Sequence, residues 1–260
     1  MSTRLQKVST PKLRSRISDA EWQMRVDLAA AYQLAHLYRW TDLIYTHFSA
    51  RVPGTEHFLI NPYGLMFDEI TASNLVKIDP EGNVLEDLTG VGYNEAGFVI
   101  HGCMHAARPE VSCVLHTHTR AGVAVSAMKC GLLPLSQHAM RVQRMVTYHD
   151  YEGIALDLDE RTRMARDLGP TSKAMILRNH GLLALGESVR EAFDVMYYLD
   201  TACQIQVDAM AGGMDNVLAM SEQAAQTAAE QFVRPGRPAE QKDWPALLRM
   251  LDRKGVRYAE

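Results

Sequence analysis

From Val111 the chain reads Val-Ser-Cys-Val-Leu-His-Thr-His, with apolar and β-branched residues alternating into a histidine pair ahead of Thr119-Arg120-Ala121-Gly122. Such a run is a strand, and its period of two puts His116 and His118 on one face. Two imidazoles side by side on a rigid element are half of a metal site. Zinc accepts ring nitrogens at about 2.0–2.1 Å and needs one or two further ligands from elsewhere. The best supplier is His180 in Leu177-Arg178-Asn179-His180-Gly181-Leu182, where a histidine ends an apolar run and a glycine allows a tight turn beside it. A His-x-His strand equally suits a half-exposed surface pair or two hydrogen-bonded core histidines, and spacing alone leaves these readings open.

A chain of 260 residues is one large domain, or one domain with appendages, and is long enough to bury a sizeable core. Its net charge of -4, with no block of Lys or Arg, argues against nucleic acid and acidic membranes as partners. No stretch approaches the ~20 apolar residues of a membrane span. Met1 to Arg16 is basic and polar without the apolar segment of a secretory signal, which points to the cytoplasm, an amphipathic targeting peptide staying open. Cys103, Cys113, Cys130 and Cys203 form no C-x-x-C pair and read as buried small hydrophobes in a reducing compartment.

Along the chain, 1–17 reads as a flexible arm, 18–213 as the folded domain and 214–260 as a helical C-terminal extension. Ser18-Asp19-Ala20-Glu21 has capping-box form and opens a helix ending near Tyr38. Short strands follow at Leu43–Val52, Phe58–Ile60 and Val76–Asp79, with a partner at Val84 across the turn Asp79-Pro80-Glu81-Gly82, a pattern of antiparallel pairing. Asn94 caps a helix running to about Arg108, and a short helix from Ala121 follows the histidine strand. A charged helix near Asp159–Leu168, two apolar strands either side of Asn179-His180-Gly181, and a long helix from the Ser188 capping box complete the domain. Of the remaining polar groups, His101 and His105 share a helix face, but no acidic motif accompanies them and at least one is expected to pack on the sheet. Asp150 and Glu152 read as loop carboxylates and Arg120 as a surface ion pair, with a carboxylate substrate its alternative.

Asn94-Glu95-Ala96-Gly97-Phe98, His116-Thr117-His118, Asn179-His180-Gly181-Leu182 and Leu59-Ile60-Asn61-Pro62-Tyr63-Gly64 stand in an order that resembles the class II aldolase/adducin family, over about Glu21 to Gly213. The resemblance implies an α/β fold, a three-layer αβα sandwich around a central mixed, largely antiparallel sheet, assembled as a homotetramer with sites between subunits. It further implies that His116, His118 and His180 hold a divalent metal, normally Zn2+, and that Glu95 is the acid/base residue. The chemistry is coherent, since a metal chelated by a carbonyl and an adjacent hydroxyl stabilises an enediolate while a nearby carboxylate moves one proton.

Departures from the family's sugar-phosphate aldolases narrow the substrate. Where those enzymes place two serines and an asparagine that help to hold phosphate, this chain has Tyr93, Asn94 and His47, and Tyr63 replaces a small hydroxyl residue. A non-phosphorylated hydroxy-carbonyl compound is therefore expected. His138 falls where they carry a tyrosine and reads either as a proton donor or as a hydrogen-bonded loop histidine. Tyr38-Arg39-Trp40-Thr41, Met128 to Pro134 and Leu177 to Val189 resemble adducin heads, which are not known as enzymes and carry an amide at the position of Glu95. The expectation is a cytoplasmic zinc-dependent lyase with Glu95 and His138 as catalytic residues. The alternatives are a decarboxylase or dehydratase on the same site, or an adducin-head-like oligomeric binding module with a vestigial site.

Overall fold

A computed structural model describes residues 13–153, 158–232 and 242–260. Its centre is an eight-stranded sheet in the order β4-β3-β2-β1-β5-β8-β7-β6. The strands are β1 (His47–Arg51), β2 (Phe58–Ile60), β3 (Val76–Ile78), β4 (Val84–Glu86), β5 (Cys113–Thr117), β6 (Val146–His149), β7 (Ala174–Leu177) and β8 (Gly181–Gly186). Every pairing is antiparallel except β6 with β7. The sheet is thus mixed and largely antiparallel, as expected, and helices cover both faces.

Alternation along β5 sorts the two sides. Cys113 and Leu115 join the larger core, whereas Val114 joins the smaller one. The larger core packs the sheet against α1 (Asp19–Leu37) and α6 (Val189–Met210), through residues such as Tyr32, Leu34, Phe193 and Met196. Tyr32 stacks on Phe48 with centroids 4.7 Å apart, and its hydroxyl lies 2.8 Å from Asn61 Oδ1, which ties the Asn61-Pro62 turn to α1. The opposite layer is α2 (Glu95–Ala107) and α5 (Leu158–Leu168), represented by Ile100, Met104, Met164 and Leu168. His116 lies two residues beyond Val114 and therefore faces α2.

Several boundaries differ from expectation for physical reasons. The chain forms α3 (Arg120–Ser126) and then an unforeseen helix, α4 (Gln137–Val142), capped by the Ser136 side chain on Ala139 N–H at 3.2 Å. His138 is therefore helical rather than in a loop. β6 was hidden because its Val-Thr-Tyr-His sequence is short and only half-buried. Ser18 caps α1, but the Glu21 carboxylate turns to Arg25 Nε at 3.1 Å and Lys77 Nζ at 2.8 Å instead of closing a capping box. Cys130 is exposed, in contrast to the other three cysteines.

Residues 1–12 of the expected arm lie outside the described residues, and Leu13 is fully buried. At the other end α7 (Glu222–Phe232) and α8 (Asp243–Arg253) return to the domain, with Trp244, Leu251 and Tyr258 in the larger core. Among the described residues no helix is long and apolar enough to cross a membrane.

Candidate metal centre

Two separate pieces of backbone deliver the three predicted ligands to one end of the central strands. His116 is the penultimate residue of β5, His118 lies just past its end, and His180 sits in the short connection between β7 and β8. The β5–β8 register, with Thr117 opposite Leu182, brings that connection against the histidine pair. One ligating atom from each of His116, His118 and His180 lies within 4.8 Å of the others. The triad can hold a metal ion.

The glycine in the Asn-His-Gly turn has a different job from the one the sequence suggested. The left-handed residue is Asn179, with φ 57°, a conformation that asparagine tolerates. Gly181 is required for space: a Cβ there would lie 2.4 Å from Thr117 O and 3.0 Å from His118 Cδ2.

Hydrogen bonds outside the triad set which nitrogens face inward. His116 Nδ1 donates to Leu182 O at 3.0 Å, and His118 Nδ1 donates to Asp42 Oδ2 at 2.9 Å. A neutral imidazole carries one hydrogen, so with both rings neutral, as metal ligation requires, both Nε2 atoms are bare. They face each other at 2.9 Å. Two lone pairs at that distance repel, and only a proton or a cation between them removes the conflict. Burial, followed by the neighbouring His47, His118 and His180, holds His116 well below the ordinary histidine range, which disfavours the proton. Burial and His118 likewise lower His180 to about 4. Three imidazole nitrogens, two of them with ring orientation fixed from behind, match the donor set of an open zinc-type site.

Glu95 is the first residue of α2, where Asn94 caps the helix by accepting from Gly97 N–H at 3.4 Å. Its side chain is exposed, and the same turn carries Gly97, whose missing Cβ leaves room for the His47 ring. His138 is exposed on α4, its ring 5.9 Å from that of Tyr198, and the structure does not bring it into the triad.

Two features of the site escaped the sequence reading. Asp42 lies in a loop with no local pattern. The other is a buried group of His47, Ser49, His101 and His105. His47-x-Ser49 on a strand and His101-x-x-x-His105 on a helix each place both residues on one face, and that match of two polar pairs was the available signal. His101 and His105 are both core residues facing the sheet, where at least one was expected to pack. Burial lowers His47 and His105 to about 3 and holds His101 well below its usual range.

The Class II Aldolase and Adducin N-terminal domain family matches residues 26–207. This chain belongs to that family. An aldolase II superfamily protein from Pseudomonas syringae is 53% identical, covers 96% of this chain and 100% of its own, and superposes with a TM-score of 0.92. An L-fuculose 1-phosphate aldolase from Glaciozyma antarctica is 27% identical with a TM-score of 0.76, over 92% of this chain and 93% of its own. Alpha-adducin of Rattus norvegicus is 45% identical over 90% of this chain, which corresponds to 34% of the adducin. The αβα architecture is shared with the solved aldolase II structures.

Proposed function

We propose that this protein is a zinc-dependent lyase of the class II aldolase type, making or breaking a carbon–carbon bond beside the carbonyl of a non-phosphorylated hydroxy-carbonyl compound. The observation that carries the reading is the convergence of His116 Nε2 and His118 Nε2, 2.9 Å apart, with a His180 nitrogen within 4.8 Å. Bound zinc supplies a Lewis acid for the negative charge that grows on substrate oxygen.

The chain's own residues do the rest. Leu182 O and Asp42 keep two imidazoles in the tautomer that turns Nε2 inward. Neutral histidines add no charge, so the ion keeps its full +2. Glu95, solvent-accessible at the start of α2, is the group that moves a proton at the reacting carbon, and His138 belongs to the proposal as the proton donor on the aldehyde side. The homotetramer and the cytoplasmic setting implied by the family resemblance are part of the same proposal. Decarboxylation and dehydration would use the same groups.

Metal analysis by mass spectrometry on untagged protein and on His116→Ala tests the site: about one zinc per chain, absent from the variant, is expected. A panel of unphosphorylated hydroxy-ketones and hydroxy-acids then tests the chemistry. Glu95→Gln should keep metal and fold and abolish turnover, and unchanged turnover would sink the role of Glu95. The 45% identity to alpha-adducin supports a second reading, an oligomeric binding module with a vestigial site. That reading expects no turnover by wild type on the whole panel and assembly indifferent to His116→Ala.

A further inference from the structure

Behind the triad, four side chains form a hydrogen-bonded line between α2 and the sheet. His105 Nδ1 lies 3.1 Å from Val111 O, and His105 Nε2 lies 2.9 Å from Ser49 Oγ. Ser49 Oγ is 2.6 Å from His101 Nδ1, and His101 Nε2 is 2.7 Å from His47 Nδ1. A carbonyl oxygen only accepts, so the direction of every bond follows from that end. His105 must carry its hydrogen on Nδ1, which leaves Nε2 bare to accept from the Ser49 hydroxyl. That hydroxyl has used its one hydrogen and accepts from His101 Nδ1–H. His101 Nε2 is then bare and accepts from His47 Nδ1–H. The line ends on a lone pair, at His47 Nε2.

The position of that lone pair gives it a use. His47 sits opposite His116 in the β1–β5 register, and the two rings tilt together with centroids 5.2 Å apart. The edge of its ring faces the first turn of α2, where a Cβ at Gly97 would come within 2.3 Å of Nε2. His47 therefore stands between the triad and the turn that carries Glu95, outside the group of ligating atoms itself.

We propose that His47 positions the substrate, its Nε2 accepting a hydrogen bond from an uncharged hydroxyl, and that Ser49, His101 and His105 are positioning residues that hold it in this polarity. The proposal deepens the lyase reading and rests on it for the location of the substrate. An alcohol offers the hydrogen this atom needs. A phosphate dianion offers none and meets a lone pair. At the position facing His47 Nε2 the four buried groups thus select a hydroxyl over a phosphate group, which favours an unphosphorylated polyol-type carbonyl compound.

The experiment is a long-range proton–nitrogen correlation spectrum of metal-free protein labelled with nitrogen-15 histidine at neutral pH, assigned with His47→Gln and His101→Gln. His47, His101 and His105 are each expected to show a protonated Nδ1 and a bare Nε2. Ser49→Ala should turn the His101 and His47 signals into tautomer mixtures. A wild-type His47 protonated on Nε2 overturns the proposal. Dihydroxyacetone added to zinc-loaded protein at pH 8 should move the His47 Nε2 resonance, and the methyl phosphate dianion at equal concentration should not. An unmoved resonance with dihydroxyacetone, or an equal shift with methyl phosphate, also overturns it. The metal-free spectrum depends on neither zinc nor turnover, so a chain that fails to bind zinc defeats the lyase reading while leaving the tautomer result standing, and a wrong tautomer leaves the metal result standing.

Discussion

His118 Nδ1 and Asp42 Oδ2, 76 residues apart in sequence, meet at 2.9 Å and join the loop ahead of β1 to the end of β5. The bond decides which nitrogen of His118 faces the triad. Removing the carboxylate frees the ring to turn and to change tautomer. Asp42→Ala should keep the fold, because Asp42 is about half exposed, and weaken zinc binding by about 10- to 100-fold in competition with a chelator of known affinity. Affinity within a factor of two of wild type would show that His118 is oriented by something else.

Gly181→Ala puts a methyl group into the backbone of β5 and the edge of the His118 ring. The neighbour that must yield first is a strand carbonyl, which cannot turn aside as a flexible side chain would. A loss of about 1–3 kcal/mol in urea unfolding is expected, together with less than one zinc per chain. Wild-type stability and full metal content would mean that β8 can shift without disturbing the triad.

Acid should destabilise the metal-free protein well before its carboxylates titrate. His47 and His105 sit at about 3 in the fold against 6.5 in the unfolded chain. Between these values the unfolded state binds the extra protons, so stability falls as pH drops through 6.5 and goes on falling towards 3. From pH 7 to pH 5 each of the two costs about 2 kcal/mol. Urea midpoints measured across that range test the slope, and a flat profile would mean that these imidazoles are solvated or charged in the fold.

Removing zinc should lower stability without unfolding the chain, since the cores on both faces of the sheet are apolar and do not include the triad. Zinc at 100 times its dissociation constant should add about 2.7 kcal/mol to the unfolding free energy. Thermal unfolding with and without chelator gives the difference. Loss of cooperative unfolding in the metal-free form would show that the site is structural.

Much of this fold could be read from local signals. Ser18, Asn94 and Ser188 cap their helices through the main-chain amides of Glu21, Gly97 and Glu191, which lie within three residues of the cap. The alternation of Val114 and His116 gave the face of β5 correctly. The three metal candidates were legible because histidine on a strand and in a turn is rare enough to notice. What was missed is long-range. Asp42 gains its meaning only when a loop meets β5, and Ser49 looks like any strand serine until α2 sets His101 and His105 over it. Glu21 shows the converse, since a carboxylate placed for a capping box was drawn off by the buried Arg25.

The line from Val111 O to His47 also fixes how the sheet can assemble. One end is bonded to Val111, just before β5, and the other lies opposite His116 near the finish of that strand, with His47 and Ser49 carried by β1 and His101 and His105 by α2. Apolar side chains between two layers tolerate sliding. Hydrogen bonds of fixed direction do not. A one-residue slip of β1 against β5 would turn Ser49 away from α2, and a two-residue slip would set each imidazole against the wrong neighbour, leaving buried donors and acceptors without partners. The native alignment, His47 beside His116 and Ser49 beside Val114, is the one that satisfies every bond in the line. The same polar residues that orient a lone pair beside the triad act as a gauge for strand register, so a chain that has paired its central strands correctly has also set His47 against His116.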